Sequence, residues 1–128
     1  MSLFSVNDIA NLSSTIPLPS ASKKIVIIGA GGIVSDAHLP AYKKAGFEVL
    51  GIFDPQRDKA DKCAKDFNIQ KVYSSEEEAF LEKNVVFDIA VPPQILAEVV
   101  KKIPQGSICQ LQKPMGNSMK DAKLIKET

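Results

Sequence analysis

Three kinds of residue in this chain have types and spacing that could do chemistry: Gly29, Gly31 and Gly32, then Asp54, then Gln112 and Lys113. The apolar run Lys24-Ile25-Val26-Ile27-Ile28 leads straight into Gly29-Ala30-Gly31-Gly32-Ile33-Val34. Three glycines in four residues are conformationally costly unless the backbone must come close to something. With a strand before and a helix after, that something reads as a diphosphate, met by unpaired N–H groups at the positive end of the helix. Gly29 permits the tight turn and Gly31 the close approach. The amides from Gly29 through Gly32, Ile33 and Val34 make the cradle. Asp54 ends the next apolar run, twenty residues after Val34. A carboxylate there can accept hydrogen bonds from two hydroxyls of an adenine ribose, although Asp-Pro at a helix start is also an ordinary cap. An acid at this place repels a 2′-phosphate, so NAD is expected over NADP. Arg57 blurs the preference, since a nearby arginine can neutralise a phosphate, and it reads equally as a solvated helix residue.

These groups need a βαβ frame to bring them together, and the pattern supplies one. The first strand is expected at Lys24–Ile28, a β-branched run of the kind buried on both faces of a parallel sheet. Its helix starts near Gly32 and turns Ile33, Ala37 and Ala41 toward the sheet, with Pro40 breaking or kinking it and Gly46 as a left-handed cap. Strand two covers Glu48–Phe53. Pro55 suits the first position of a helix that runs to about Phe67, with Ala60, Cys63, Ala64 and Phe67 inward. Lys71–Tyr73 is a short third strand, and Ser74-Ser75-Glu76-Glu77-Glu78 carries a capping-box pattern. Val85–Val91 reads as strand four, Gln94–Lys102 as a helix stopped by Pro104, Ser107–Leu111 as strand five, and Gly116 to Thr128 as a further helix. Alternation of this kind implies an α/β, doubly wound parallel sheet of Rossmann type, ordered 3-2-1-4-5, with a crevice at the carboxyl ends of strands one and four. Residues 1–22 stand apart as an extension, with a short helix expected over Ser5–Leu12 and a Pro- and Ser-rich lead-in after it. Residues 23–128 form the dinucleotide-binding domain.

Composition narrows the function classes. The net charge of +1 gives no electrostatic reason to invoke nucleic acid or an anionic membrane. No apolar run reaches membrane-spanning length, and the start lacks the basic and apolar regions of a secretory signal. Cys63 and Cys109 have no metal-ligand spacing and read as packed, reduced thiols of a cytoplasmic protein. No metal site is expected.

Taken in order, Gly29-Ala30-Gly31-Gly32-Ile33, His38-Leu39-Pro40-Ala41, Asp54, Ala90-Val91-Pro92-Pro93 and Gln112-Lys113-Pro114 resemble the glucose–fructose oxidoreductase and inositol dehydrogenase family (Gfo/Idh/MocA). The resemblance implies a nicotinamide-dependent oxidoreductase acting on CH–OH groups of sugars, cyclitols or related polyols. It also implies a second, C-terminal α/β domain that this chain lacks, and an oligomer formed largely through that domain. Alone, the chain is expected to bind NAD, with NADP possible, and to turn over little. By resemblance, Lys113 would contact the substrate hydroxyl, stabilise its alkoxide and help position the nicotinamide. Val91 and Pro92 would bind the cofactor, Pro92 and Pro93 would end strand four and shape the wall beside the nicotinamide, and Gln112 would hydrogen-bond a nicotinamide or ribose. Three places depart from the family pattern. Gln112 replaces a glutamate and cannot act as a base, Leu96 stands where a histidine is usual, and Val34 is bulkier than the residue common there.

His38, the only histidine, reads as packing in the core or at an interface. Asp88 reads as a strand-start residue without chemistry, and Tyr42 and Tyr73 as packing residues. Two rival functions stay open at this point. A non-catalytic dinucleotide-sensing module draws some support from Gln112 and Leu96. An S-adenosylmethionine-binding methyltransferase domain would place an acid two residues before the first glycine, where this chain has Ile27.

Overall fold

In the computed structural model, residues 16–128 are described, so the helix expected over Ser5–Leu12 lies outside them. Five parallel strands form one sheet in the order β3-β2-β1-β4-β5. They are β1 (Lys24–Ile28), β2 (Val49–Phe53), β3 (Lys71–Val72), β4 (Val85–Ile89) and β5 (Ile108–Leu111). A π-helical turn, Val34–His38, passes directly into α1 (Leu39–Ala45), and α2 (Arg57–Phe67), α3 (Glu76–Ala79), α4 (Pro93–Val100) and α5 (Met119–Glu127) follow.

Side chains alternate across a strand, and β1 feeds two cores in consequence. Val26 and Ile28 face Phe80, Phe87, Leu96 and Val99, while Ile25 and Ile27 face Val34, Leu39, Ile52, Ala60 and Cys63. That is why β1 is apolar at every step after Lys24: both faces are covered. In β2, Gly51 is required by its neighbour, since a Cβ there would lie 2.3 Å from the Tyr73 ring.

The structure corrects several expectations. Ile33, Ala37 and Ala41 do not face the sheet; Val34 and Leu39 do, and Ile33 is 47% exposed. The cause is the π turn, in which the Leu39 N–H donates to the Val34 carbonyl five residues back, bringing 34 and 39 onto one face. The same wide turn accommodates Pro40, which has no N–H and would crowd the preceding turn of a regular helix. The helix therefore continues to Ala45, where Gly46 caps it at φ +76° as expected. Pro55 lies outside α2, whose N-cap is Gln56. The strands are shorter than the apolar runs: β4 ends at Ile89, leaving Ala90 and Val91 as coil. Cys63 is buried, but Cys109 is exposed, because it lies on β5 at the sheet edge.

Asp88 departs furthest from its expected place. It sits fourth in β4 rather than at the strand start, and it is fully buried. His38 does pack inside, with its side chain 13% exposed, but against this carboxylate rather than against apolar groups alone.

Candidate functional site

A cleft of about 400 Å³ opens at the carboxyl ends of β1, β2 and β4, the crevice that an open sheet forms where its strand order reverses. The ladder runs on past the strand ends and fixes the rim. The Gly29 N–H donates to the Phe53 carbonyl at 2.7 Å, Ala90 to Ile28 at 2.8 Å, and Gln112 to Ile89 at 3.0 Å. Gly29, Ala90 and Gln112 thus stand side by side on the cleft wall.

The glycine turn has two different jobs. At Gly29, φ is +110° and a Cβ would sit 2.3 Å from the Ala90 carbonyl oxygen, so this glycine is demanded by the neighbouring strand. At Gly31 a Cβ would meet nothing within 4 Å, so the turn faces open space. Helical bonding begins with Val34 and Ser35, both donating to the Gly31 carbonyl. The N–H groups just before them belong to the first turn, which a helix leaves without internal acceptors. That arrangement suits an anion such as a diphosphate.

Asp54 lines the cleft with both carboxylate oxygens already engaged: Oδ2 accepts from the Ala30 N–H at 2.8 Å and Oδ1 from the Gln56 N–H at 2.7 Å. It therefore closes an Asx turn ahead of α2 rather than capping the helix, whose N-cap Gln56 has no side-chain cap, and it also braces the glycine turn. Each oxygen keeps a second lone pair for a ribose hydroxyl. Arg57 does not line the cleft; its Nε donates to Asp61 Oδ1 at 3.0 Å on the exposed face of α2. Val34 is fully buried beneath the turn. Gly31, Ile33, Val91, Pro92 and Gln112 line the cleft, and Gly32 is exposed beside it in the turn. Lys113 is exposed and off the cleft lining, with its backbone N–H donating to Gln112 Oε1 at 2.8 Å. Leu96 is fully buried in the core, so the departure there concerns packing rather than the cleft.

Sequence reasoning missed Lys59, Glu76 and Ile95, which also line the cleft. Lys59 is the third residue of α2, five positions after Asp54, and only the turn between them brings it to the cleft. Glu76 follows its cap Ser75 and ion-pairs with Lys102 at 2.7 Å. The polar group formed by Asp88, His38 and Tyr42 was also missed, because it joins residues 46 and 50 positions apart. Among the described residues no helix is long and apolar enough to cross a membrane.

The model of an oxidoreductase family with an NAD-binding Rossmann fold (Gfo/Idh/MocA) matches residues 23–128. The chain belongs to that family. The matched span is its NAD-binding domain, so the expected fold and cofactor class are borne out. An oxidoreductase from Thermotoga maritima is similar at 24% identity and TM-score 0.78, over 84% of this chain and 34% of that one. A dehydrogenase from Clostridium difficile is similar at 25% identity and TM-score 0.73, over 84% and 35%. The myo-inositol dehydrogenase of Lactobacillus casei, in complex with NAD(H) and myo-inositol, is similar in fold at 20% identity and TM-score 0.76, over 84% and 33%. The chain thus spans about a third of the length of these structures. No protein of curated function matches it by sequence.

Proposed function

We propose that this domain holds a nicotinamide dinucleotide across the cleft and serves hydride transfer at a carbinol carbon of a sugar, cyclitol or related polyol. The observation that carries the reading is convergence on one cleft: the open glycine turn, the Asp54 carboxylate and the Val91–Pro92–Gln112 wall all border it. The amides of Gly31, Gly32 and Ile33 take the diphosphate, Asp54 the adenine ribose, and Val91, Pro92 and Gln112 the nicotinamide end. The bound dinucleotide supplies the hydride acceptor or donor; these residues bind and orient it. In this reading Lys113, next along the chain from Gln112, contacts the substrate hydroxyl and stabilises its developing negative charge.

Asp54 favours NAD, and Arg57, tied to Asp61, does little to offset it. Lys59 on the cleft lining is the cation that a 2′-phosphate would meet. The substrate class draws support from the myo-inositol bound by the Lactobacillus casei enzyme and from the UDP-GlcNAcA bound, with NADH, by a Bordetella pertussis dehydrogenase of similar fold. A base and most substrate contacts come from outside these 128 residues, in keeping with the third of each relative that the chain spans. The deciding experiment is a fluorescence titration with NADH and NADPH in parallel. Saturable binding with NADH the tighter ligand is expected, without turnover of polyols by this chain alone. A folded sample that binds neither coenzyme at millimolar concentration refutes the reading.

A further inference from the structure

Four side chains form a continuous polar line from the interior of the sheet to the cleft wall. Asp88 Oδ2 accepts the Tyr42 O–H at 2.7 Å and lies 2.7 Å from His38 Nδ1, while Oδ1 has no partner among the described residues. On the far side of the ring, His38 Nε2 lies 3.1 Å from Gln112 Nε2. Gln112 Oε1 accepts the Lys113 backbone N–H at 2.8 Å, and Gln112 lines the cleft.

The protonation pattern follows from the one donor that cannot change its role. A backbone N–H only donates, so the amide atom facing Lys113 is the oxygen, and the NH₂ group faces His38. That NH₂ group also only donates. His38 Nε2 must therefore offer a lone pair, and the ring proton sits on Nδ1, donated to Asp88. The imidazole is neutral although it rests on a buried carboxylate. The titratable groups against it are Asp88 from β4 and Tyr42 one turn along its own helix. From the segment after β5 it meets the Gln112 amide, which does not titrate.

We propose that His38 is a positioning residue for the cleft. Held by Asp88 in its Nδ1–H form, it fixes the Gln112 amide with one Nε2–H on the ring and leaves the other to donate to an oxygen at the nicotinamide end of the coenzyme. The role rests on the dinucleotide reading above. Protonating the ring reverses the arrangement: Nε2 becomes a donor, the Gln112 amide must turn its oxygen to the ring, and the Lys113 N–H loses its acceptor. A ring carrying both protons would thereby weaken coenzyme binding, by way of Gln112.

The test compares NADH binding by the 128-residue chain with that of His38→Asn, Gln112→Ala and the double variant. Asparagine can keep a donor at the Nδ1 position for Asp88 but is too short to put an acceptor where Nε2 meets Gln112. Each single variant is expected to bind about fivefold more weakly, the worth of one hydrogen bond, and the double variant no more weakly than either. Losses that multiply in the double variant overturn the role, since two independent sites are additive in free energy. Nitrogen NMR should find His38 Nε2 unprotonated at pH 8, with the ring proton on Nδ1. A ring protonated on Nε2 at that pH overturns the proposal. If His38→Asn does not fold, Gln112→Glu decides: a carboxylate accepts and cannot donate to Nε2, so nitrogen NMR should find a proton on His38 Nε2, and an Nε2 still unprotonated overturns the role. Failure of the folded parent to bind NADH removes the dinucleotide reading itself, and this role with it. Intact binding with multiplying losses removes the role of His38 alone.

Discussion

The Ala30 N–H donates to Asp54 Oδ2 at 2.8 Å, so the acid that ends β2 braces the turn that follows β1. Position 54 thereby couples stability to ligand binding. Asp54→Ala removes acceptors from two backbone donors and is expected to cost about 1–2 kcal/mol of stability. It should also weaken NADH at least tenfold through loss of the proposed ribose contact. Thermal melts and a coenzyme titration on the same sample check both. Lowered stability with unchanged NADH affinity would leave Asp54 as a brace of the two turns alone.

The two glycines of the turn should separate cleanly. Gly29→Ala forces a Cβ to within 2.3 Å of the Ala90 carbonyl oxygen at φ +110°, and is expected to destabilise by roughly 3 kcal/mol. Gly31→Ala meets nothing within 4 Å and should leave the melting temperature nearly unchanged. On the proposed binding mode its methyl projects toward the diphosphate, so NADH binding should weaken markedly. Equal melting temperatures for the two variants would contradict this division.

Coenzyme preference should follow Lys59 rather than Arg57. Arg57 is engaged by Asp61, an exposed pair worth little to stability. Arg57→Ala is expected to leave the NADH-to-NADPH affinity ratio within about twofold. Lys59→Ala should weaken NADPH more than NADH, since only NADPH carries the phosphate that a lysine there would meet. Parallel titrations of the two variants at fixed salt read the ratio.

Two phenols make the fold sensitive to alkali. Burial, then the hydrogen bond and charge of Asp88, push the Tyr42 phenol well above its ordinary value, and burial followed by Glu82 does the same for Tyr73. Both groups hold their protons more tightly folded than unfolded. Their stabilisation is therefore complete below about pH 10, the ordinary tyrosine value, and is lost as pH rises beyond it. Urea midpoints measured from about pH 9 to 11 should fall, and Tyr42→Phe and Tyr73→Phe should each reduce the slope by up to one proton. A slope unaffected by either substitution would refute the assignment.

Much of this architecture was readable in the chain because each apolar run is separated from the next by a helix with its own stop signal. β1 occupies the residues expected of it, and the strand order follows from the alternation of strands and helices. What could not be read depends on contacts distant in sequence or on unusual backbone. Asp88 meets His38 and Tyr42 only after β4 has paired with β1. Cys109 looks like a core residue until its strand is found at the sheet edge. The Arg57–Asp61 pair, by contrast, lies at the ordinary helical spacing of four and was open to inspection.

The π turn over Val34–His38 has an effect that reaches beyond its own five residues. Relative to a regular helix it amounts to a one-residue insertion, and each residue added rotates everything downstream by about 100°. That offset in phase is what sends Leu39 into the core and aims the His38 imidazole at the Asp88 carboxylate. Excising one residue from the turn would preserve nearly all of the sequence, yet swing the histidine out of reach of β4. An indel of this size at this point would be felt at the cleft without altering a single residue that borders it.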